Sequence, residues 1–479
     1  MRRTAPLRGL LVAVGVALLA EPALAHVGGL SGTADSTIPT WLTIGTGGVI
    51  IGASFLFTSL LTDHEGIRMV NGWHLHATVP ESLRTTVTWA GRGLGVAVLA
   101  LVVASGLFGP NRSSPGIFSA EESFAIMVVW VGWWAGYIMS VYLVGNTWPL
   151  LNPFRALAAL VPRIRDRAFP ERLGAWPAVG GLLALVWIEV VSPVASAPRV
   201  LAATILGYTA VTLVGAATYG AATWFDRVDP IARALRLYGR MAPIQRTGDG
   251  IALTLPTTAL VDHRLREEPG ATAFVVALLW VTTYDGLVAT PAWEAAMTPL
   301  LDAAGGATVP ILGDDASYLL ALLVYVVAIL AGFVLFYYAY RYAARKARDT
   351  AGSYVEADYI ARYFAPALLP IAAGYHIAHF LGYLIRLSPA LLGALPYPLS
   401  VPPDPTVLTV PGWFGTLQVL LVLLGHVLAI WVAHSRSFDL FPGIFKPIRS
   451  QYAVTVAMIF YTMASLWVVI QPFGAPPGV

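Results

Sequence analysis

The sequence predicts an all-α, polytopic transmembrane helix bundle of about ten helices behind a cleaved signal peptide. Three observations carry that prediction. Of the 479 residues 57% are hydrophobic and only 11% charged, whereas a soluble domain carries about 25% charged residues. Apolar windows of about 20 residues, enough to cross a bilayer, recur along the chain. Lys and Arg gather in alternate connections between those windows, as retention of basic residues on the cytoplasmic side requires.

Residues 1–25, "MRRTAPLRGLLVAVGVALLAEPALA", join a basic start (Arg2, Arg3, Arg8) to a short apolar run and an Ala23-Leu24-Ala25 cleavage pattern, the anatomy of a secretory signal. Cleavage there makes His26 the first residue of a single transmembrane domain over 26–479. The spans follow at roughly 41–62, 88–108, 122–145, 175–193, 199–225, 271–290, 316–340, 359–386, 413–434 and 451–471. With His26 outside, the connections predicted inside hold about 21 Lys and Arg, and those outside only Arg112 and Arg199. This places the protein in the plasma membrane with both mature termini outside.

Two inner connections carry helix-start signals. "DPIARALRLYGRMAPI" has Asp229 as N-cap and Pro230 at the first helical position. Ile231, Leu235, Tyr238 and Ala242 then share a face opposite Arg233, Arg236 and Arg240, which predicts an interfacial helix over 229–244 resting on anionic headgroups. "NPFRALAALVPRIRDR" repeats the device over 152–167 with Asn152 and Pro153. "GDGIALTLPTTALVDH" predicts a small hairpin at 248–263. The outer segments "TPLLDAAGGATVPILGDDAS" and "PALLGALPYPLSVPPDPTVLTVPGW" read as long loops over the outer mouth.

The chain has no cysteine. That excludes disulfides, thiolate metal sites, iron–sulfur clusters, covalent haem and a Cys nucleophile. The net charge of +3 is spread over short loops, so the partners expected are the lipid bilayer and a small solute or metal ion, not nucleic acid. No P-loop, G-x-S-x-G or H-E-x-x-H motif occurs.

Chemistry concentrates where ionisable groups enter the bilayer, because such groups are costly there and mark function. The eighth span reads "YIARYFAPALLPIAAGYHIAHFLGYLIR". Pro366 and Pro370 cannot donate to the preceding turn, so a kink is expected just before His376 and His379, which share a face at helical spacing. At about 1.5 Å per residue, His376 falls near the midplane and His379 about 5 Å further out. His426 of the ninth span lies level with His376, and Asp285 of the sixth is near the depth of His379 with Glu189 of the fourth in reach of that layer. Arg92 near the inner end of the second span is expected to snorkel.

Several readings of these groups compete. His376, His379, His426 and Asp285 are candidate metal ligands, Cu or Zn suiting imidazole and carboxylate. His376 and His426 are also candidate axial ligands of a b-type haem. Asp285, His379 and Glu189 are candidates for a proton or ion path beside a broken helix. In a purely structural role the histidines bond freed backbone carbonyls. His26 is an outer metal candidate, since a terminal His chelates through its amino group and Nδ1. The cluster Asp63, His64, Glu65, His74 and His76 is either a second metal candidate or a solvated loop.

The motifs "AHVGGLSGTADSTIPTWL", "NTWPLLNPFRAL", "LYGRMAPI", "TTYDG", "PIAAGYHIAHF" and "LLGHVLAIWVAHSRSFDLF" together resemble a family of prokaryotic multi-spanning proteins labelled fenitrothion hydrolase, over nearly the whole chain. The resemblance implies hydrolysis of an organophosphorothioate ester, which would call on a metal-activated water with Asp285 and the histidines among its ligands. Ten spans, a broken helix and polar groups at two depths are instead the features of a permease carrying a metal ion or a proton-coupled solute.

Overall fold

The computed structural model describes residues 40–61, 63–110, 122–164, 167–304, 316–403, 405–471 and 476–477. The signal segment, His26 and Arg112 lie outside the described residues. Among those described, nine helices are long and apolar enough to cross a membrane, and a tenth apolar helix is shorter. The protein is a membrane-embedded, multi-pass helix bundle.

In chain order the elements are α1 (Thr40–Leu61), α2 (His64–Asn71), β1 (His74–Thr78), α3 (Glu81–Phe108), α4 (Phe124–Leu143), α5 (Pro153–Ala158), α6 (Trp176–Val191), α7 (Pro198–Tyr219) and α8 (Pro230–Tyr238). There follow β2 (Ile244–Arg246), β3 (Gly250–Thr254), α9 (Ala271–Val288), α10 (Pro291–Ala304), α11 (Ala316–Thr350), α12 (Ala357–Phe364), α13 (Leu369–Ala394), α14 (Phe414–Leu440) and α15 (Tyr452–Val469). The short span is α6, whose 16 residues rise about 24 Å against a hydrocarbon core near 30 Å.

Enclosure separates a centre from a periphery. In α9, 78% of the apolar window is buried inside the protein, against 22% in α3 and in α11; the outer two therefore turn most of their apolar surface to lipid. α9 packs on α6, α11 and α13, and α13 packs on α14 and α4. The α13–α14 crossing is backbone on backbone: a Cβ on Gly374 would come within 2.8 Å of Gly425 Cα, so both positions need a residue without a side chain. The double proline coincides with an interruption of the helix. A 3₁₀ turn, Ala365–Leu368, separates α12 from α13, and just before it the Ala361 carbonyl accepts both from Ala365 N and from Tyr340 Oη 2.7 Å away.

Four local expectations are corrected. The helix after Asp229 forms, with Asp229 Oδ1 accepting from Ala232 N at 2.7 Å, but it does not offer a free basic face. Ala232, Arg233, Ala234, Leu235, Leu237 and Tyr238 are buried in the protein, because Glu268 and Asp226 supply counter-charges to Arg233 and Arg236. The helix after Asn152 spans only Pro153–Ala158, ending ahead of Pro162. The hairpin is β2–β3, so Gly248-Asp249-Gly250 forms the turn between the strands instead of preceding them; Thr258–Val261 is helical, and β1 joins the far edge of β3, giving the antiparallel order β1-β3-β2. The segment after α9 is not all loop: α10 starts at Pro291 with Thr290 Oγ1 accepting from Trp293 N at 3.2 Å.

Candidate functional site

Three central helices each bring one ionisable side chain to a common point. Asp285 near the end of α9 places Oδ2 3.7 Å from Nε2 of His379 on α13, an ion-pair distance longer than a direct hydrogen bond. Glu189, near the end of α6, brings its carboxyl group beside that of Asp285. Two carboxyl groups side by side share a hydrogen bond only when one of them carries a proton. The approach of α9 to α13 depends on Gly286: a Cβ there would meet the Tyr375 hydroxyl at 2.0 Å. Tyr375 also lies against His379, ring on ring, with centroids 6.1 Å apart and planes 13° from parallel.

His376, one turn deeper, faces elsewhere. Its Nδ1 lies 3.0 Å from the hydroxyl of Tyr142 at the end of α4. Its ring sits between Trp134 and Phe380, with centroids at 6.1 and 4.9 Å. The Tyr142 ring is edge-on to Tyr238 of α8, which links the midplane of the bundle to the helix at its basic end. His426 turns to its own helix, with Nδ1 2.9 Å from the Val422 carbonyl and its ring 5.8 Å from that of Tyr461. The Val422 carbonyl is four residues back in a continuous helix, so this bond is not the capture of a freed carbonyl weighed for the histidines.

Asp285, His379 and Glu189 thus come together, while His376 and His426 do not join them. Among the described residues no group of three or more His, Asp or Glu is placed to hold a metal ion. The inner cluster is also dispersed. Asp63 caps α2 through Gly66 N at 2.8 Å, His64 packs on Phe438, and His74 approaches the Gly72 carbonyl. His76 meets Thr247 and Asp249 across the small sheet at 3.2 and 3.1 Å. Arg92 lies over the Trp89 ring.

Beside the three-helix constellation is a cavity of about 190 Å³. Glu189, Asp285 and His376 are on its wall; the remainder is apolar and aromatic, including Trp130, Trp133, Trp134, Tyr375 and Phe380. His426 does not line it, so the pair of histidines that a haem would need does not face this space. The volume is also below the roughly 300–1,000 Å³ of clefts that take drug-sized ligands. Sequence reasoning missed this wall. Its signal is "VVWVGWWAG", three tryptophans within five residues, in a segment of α4, Met127–Tyr137, wound as a π-helix; π-helical geometry is rare and frequent at functional sites.

These features define a class: a polytopic α-helical membrane protein with a partly buried acid–acid–imidazole constellation beside an aromatic cavity. Compared with family models, with curated proteins and with solved structures, the chain matches none.

Proposed function

We propose that the protein is a permease of the plasma membrane that couples movement of a small solute or ion to protons through Glu189, Asp285 and His379. The supporting observation is their placement: two carboxyl groups from different helices border a cavity, and the imidazole of His379, carried on the helix that follows the proline break, lies 3.7 Å from one of them. Intramembrane carboxylates and imidazoles next to a discontinuous helix are what proton-coupled carriers employ. The distribution of Lys and Arg supports an orientation with the sheet and α8 inside. The hydrolytic activity implied by the family resemblance would call for a metal-activated water; a proton path needs no such convergence of ligands, and only two carboxylates and one imidazole meet here.

The test is proton flux in liposomes containing the full-length protein and an internal pH dye. After an imposed pH step, the wild type is expected to dissipate the gradient faster than empty liposomes, and Asp285→Asn to slow that rate by about tenfold or more. Equal rates in the wild type, Asp285→Asn and empty liposomes overturn the proposal. Hydrolysis of a thiophosphate triester by purified protein that is lost in Asp285→Asn and His379→Gln would instead move the constellation to catalysis.

A further inference from the structure

The cavity wall carries information about what fits it. Glu189 and Asp285 are the charged side chains on it, and no Arg or Lys lines it. An anion entering this space would meet carboxyl groups with no compensating cation, and its desolvation would go unrepaid. The rest of the wall is mostly hydrocarbon and π-face, with Leu182, Val186, Leu278, Val281, the tryptophans and Phe380 outnumbering His376, Thr204 and Thr282. Tryptophan faces attract cations, more strongly when water is excluded. Size limits the guest further. A cavity of 150 Å³ takes one benzene, and this one is about 190 Å³.

We infer that the cavity binds a small, monocyclic or comparably compact organic ammonium ion, its apolar body against the tryptophans and its charged end at the Glu189–Asp285 pair. The inference rests on the proton-coupled reading and supplies its substrate class. The arriving ammonium takes the place of the proton held between the two carboxyl groups. One positive charge enters as one leaves, so the site stays electrically balanced and binding of the amine is linked to release of a proton.

The experiment is equilibrium binding to the full-length protein in detergent, read by quenching of tryptophan fluorescence and by proton release into weak buffer. The probes are benzylamine, charged at neutral pH, and its near-isosteres benzyl alcohol and toluene, which are not. Benzylamine is expected to bind at least about tenfold more tightly than either neutral probe, with close to one proton released per amine bound. Glu189→Gln is expected to erase the charge preference while leaving toluene binding in place, which shows that the cavity is still formed. Glu189→Asp, which keeps the charge, is expected to retain most of the preference. Benzyl alcohol binding as tightly as benzylamine, or no saturable quenching by any probe, overturns the inference. Charge-selective binding without proton flux in liposomes would leave the site standing and remove the transport reading; Asp285-dependent flux without amine binding would do the reverse.

Discussion

Two regions of this protein handle charge in opposite ways. At the basic end of the bundle, cations are matched to carboxylates, with Glu268 shared by Arg227 and Arg233 and Asp226 by Arg236 and Arg266. Arg233 pairs with Glu268 at 2.7 Å, Arg236 with Asp226 at 2.6 Å and Arg264 with Asp439 at 2.9 Å, and Arg362 and Arg341 meet Glu267 and Asp358. In the middle of the bundle, Glu189 and Asp285 stand on a cavity wall that holds no Arg or Lys, with His379 next to Asp285. A guanidinium never releases its proton, so the first set is electrostatically fixed. A carboxyl pair with an imidazole can change its charge by moving a proton. The first arrangement holds connections in place, and the second has the chemistry to respond.

The sharpest way to break this contrast is to remove one member of the static set. Arg233 and Glu268 are both nearly enclosed, with side-chain exposures of 6% and 8%. Glu268→Ala leaves a buried guanidinium whose main counter-charge is gone, a loss of about 3–5 kcal/mol by analogy with other buried pairs. The expected outcome is a large drop in thermal stability in detergent, whereas Asp285→Asn, which keeps shape and hydrogen-bonding capacity, should change stability far less. Equal losses in the two variants would mean that both regions are structural and the contrast is false.

Much of this contrast was readable in the sequence, and the reason lies in what sequence spacing encodes. Helical rise gives depth, so distances to the span ends put Asp285 and His379 in one layer, with Glu189 in reach of it. The Asp229-Pro230 start was equally legible because a cap is a local signal. Rotation about the helix axis and side-chain direction are not local. His426 sits level with His376 in the sequence count, yet its ring turns to Val422 of its own helix. Nor did the arginines of α8 reveal that Glu268, more than thirty residues on, would turn them inward. The cavity was hidden for a related reason: Trp133 and Trp134 are apolar residues in an apolar run, and only the packing of α4 on α13 makes them a wall.

A smaller effect tests whether the responsive layer depends on the helix crossing that places it. Gly374 and Gly425 touch backbone to backbone two residues from His376 and next to His426. Gly374→Val puts a branched side chain where 2.8 Å is available, so α13 and α14 must separate, at about 1–3 kcal/mol if the helices relax. Because His379 is carried on α13, the separation should also change its distance to Asp285. The expected result is a moderate loss of thermal stability with a disproportionate loss of proton flux. Lost stability with unchanged flux would show that the constellation does not depend on this crossing.

The smallest predicted effect comes from a titratable group within the static region itself. His263 lies in the connection before α9, partly buried, and its carbonyl accepts from Arg436 Nη1 at 2.9 Å. Burial, with the nearby charges of Arg240, Arg436, Arg236 and Arg264, pushes its pKa down from 6.5 to about 4. The unfolded chain, with a histidine near 6.5, therefore binds more protons than the folded one between those two values. Stability that is fully present above about pH 6.5 is lost as the pH falls towards 4, the direction expected of a neutral imidazole held among arginines. His263→Gln keeps the carbonyl that Arg436 uses and removes only the titration. Melting temperatures at pH 7 and pH 5 should fall further apart in the wild type than in His263→Gln. If the two proteins lose stability in parallel, the acid sensitivity of this end belongs to its carboxylates, and the arginines around His263 do not set its charge.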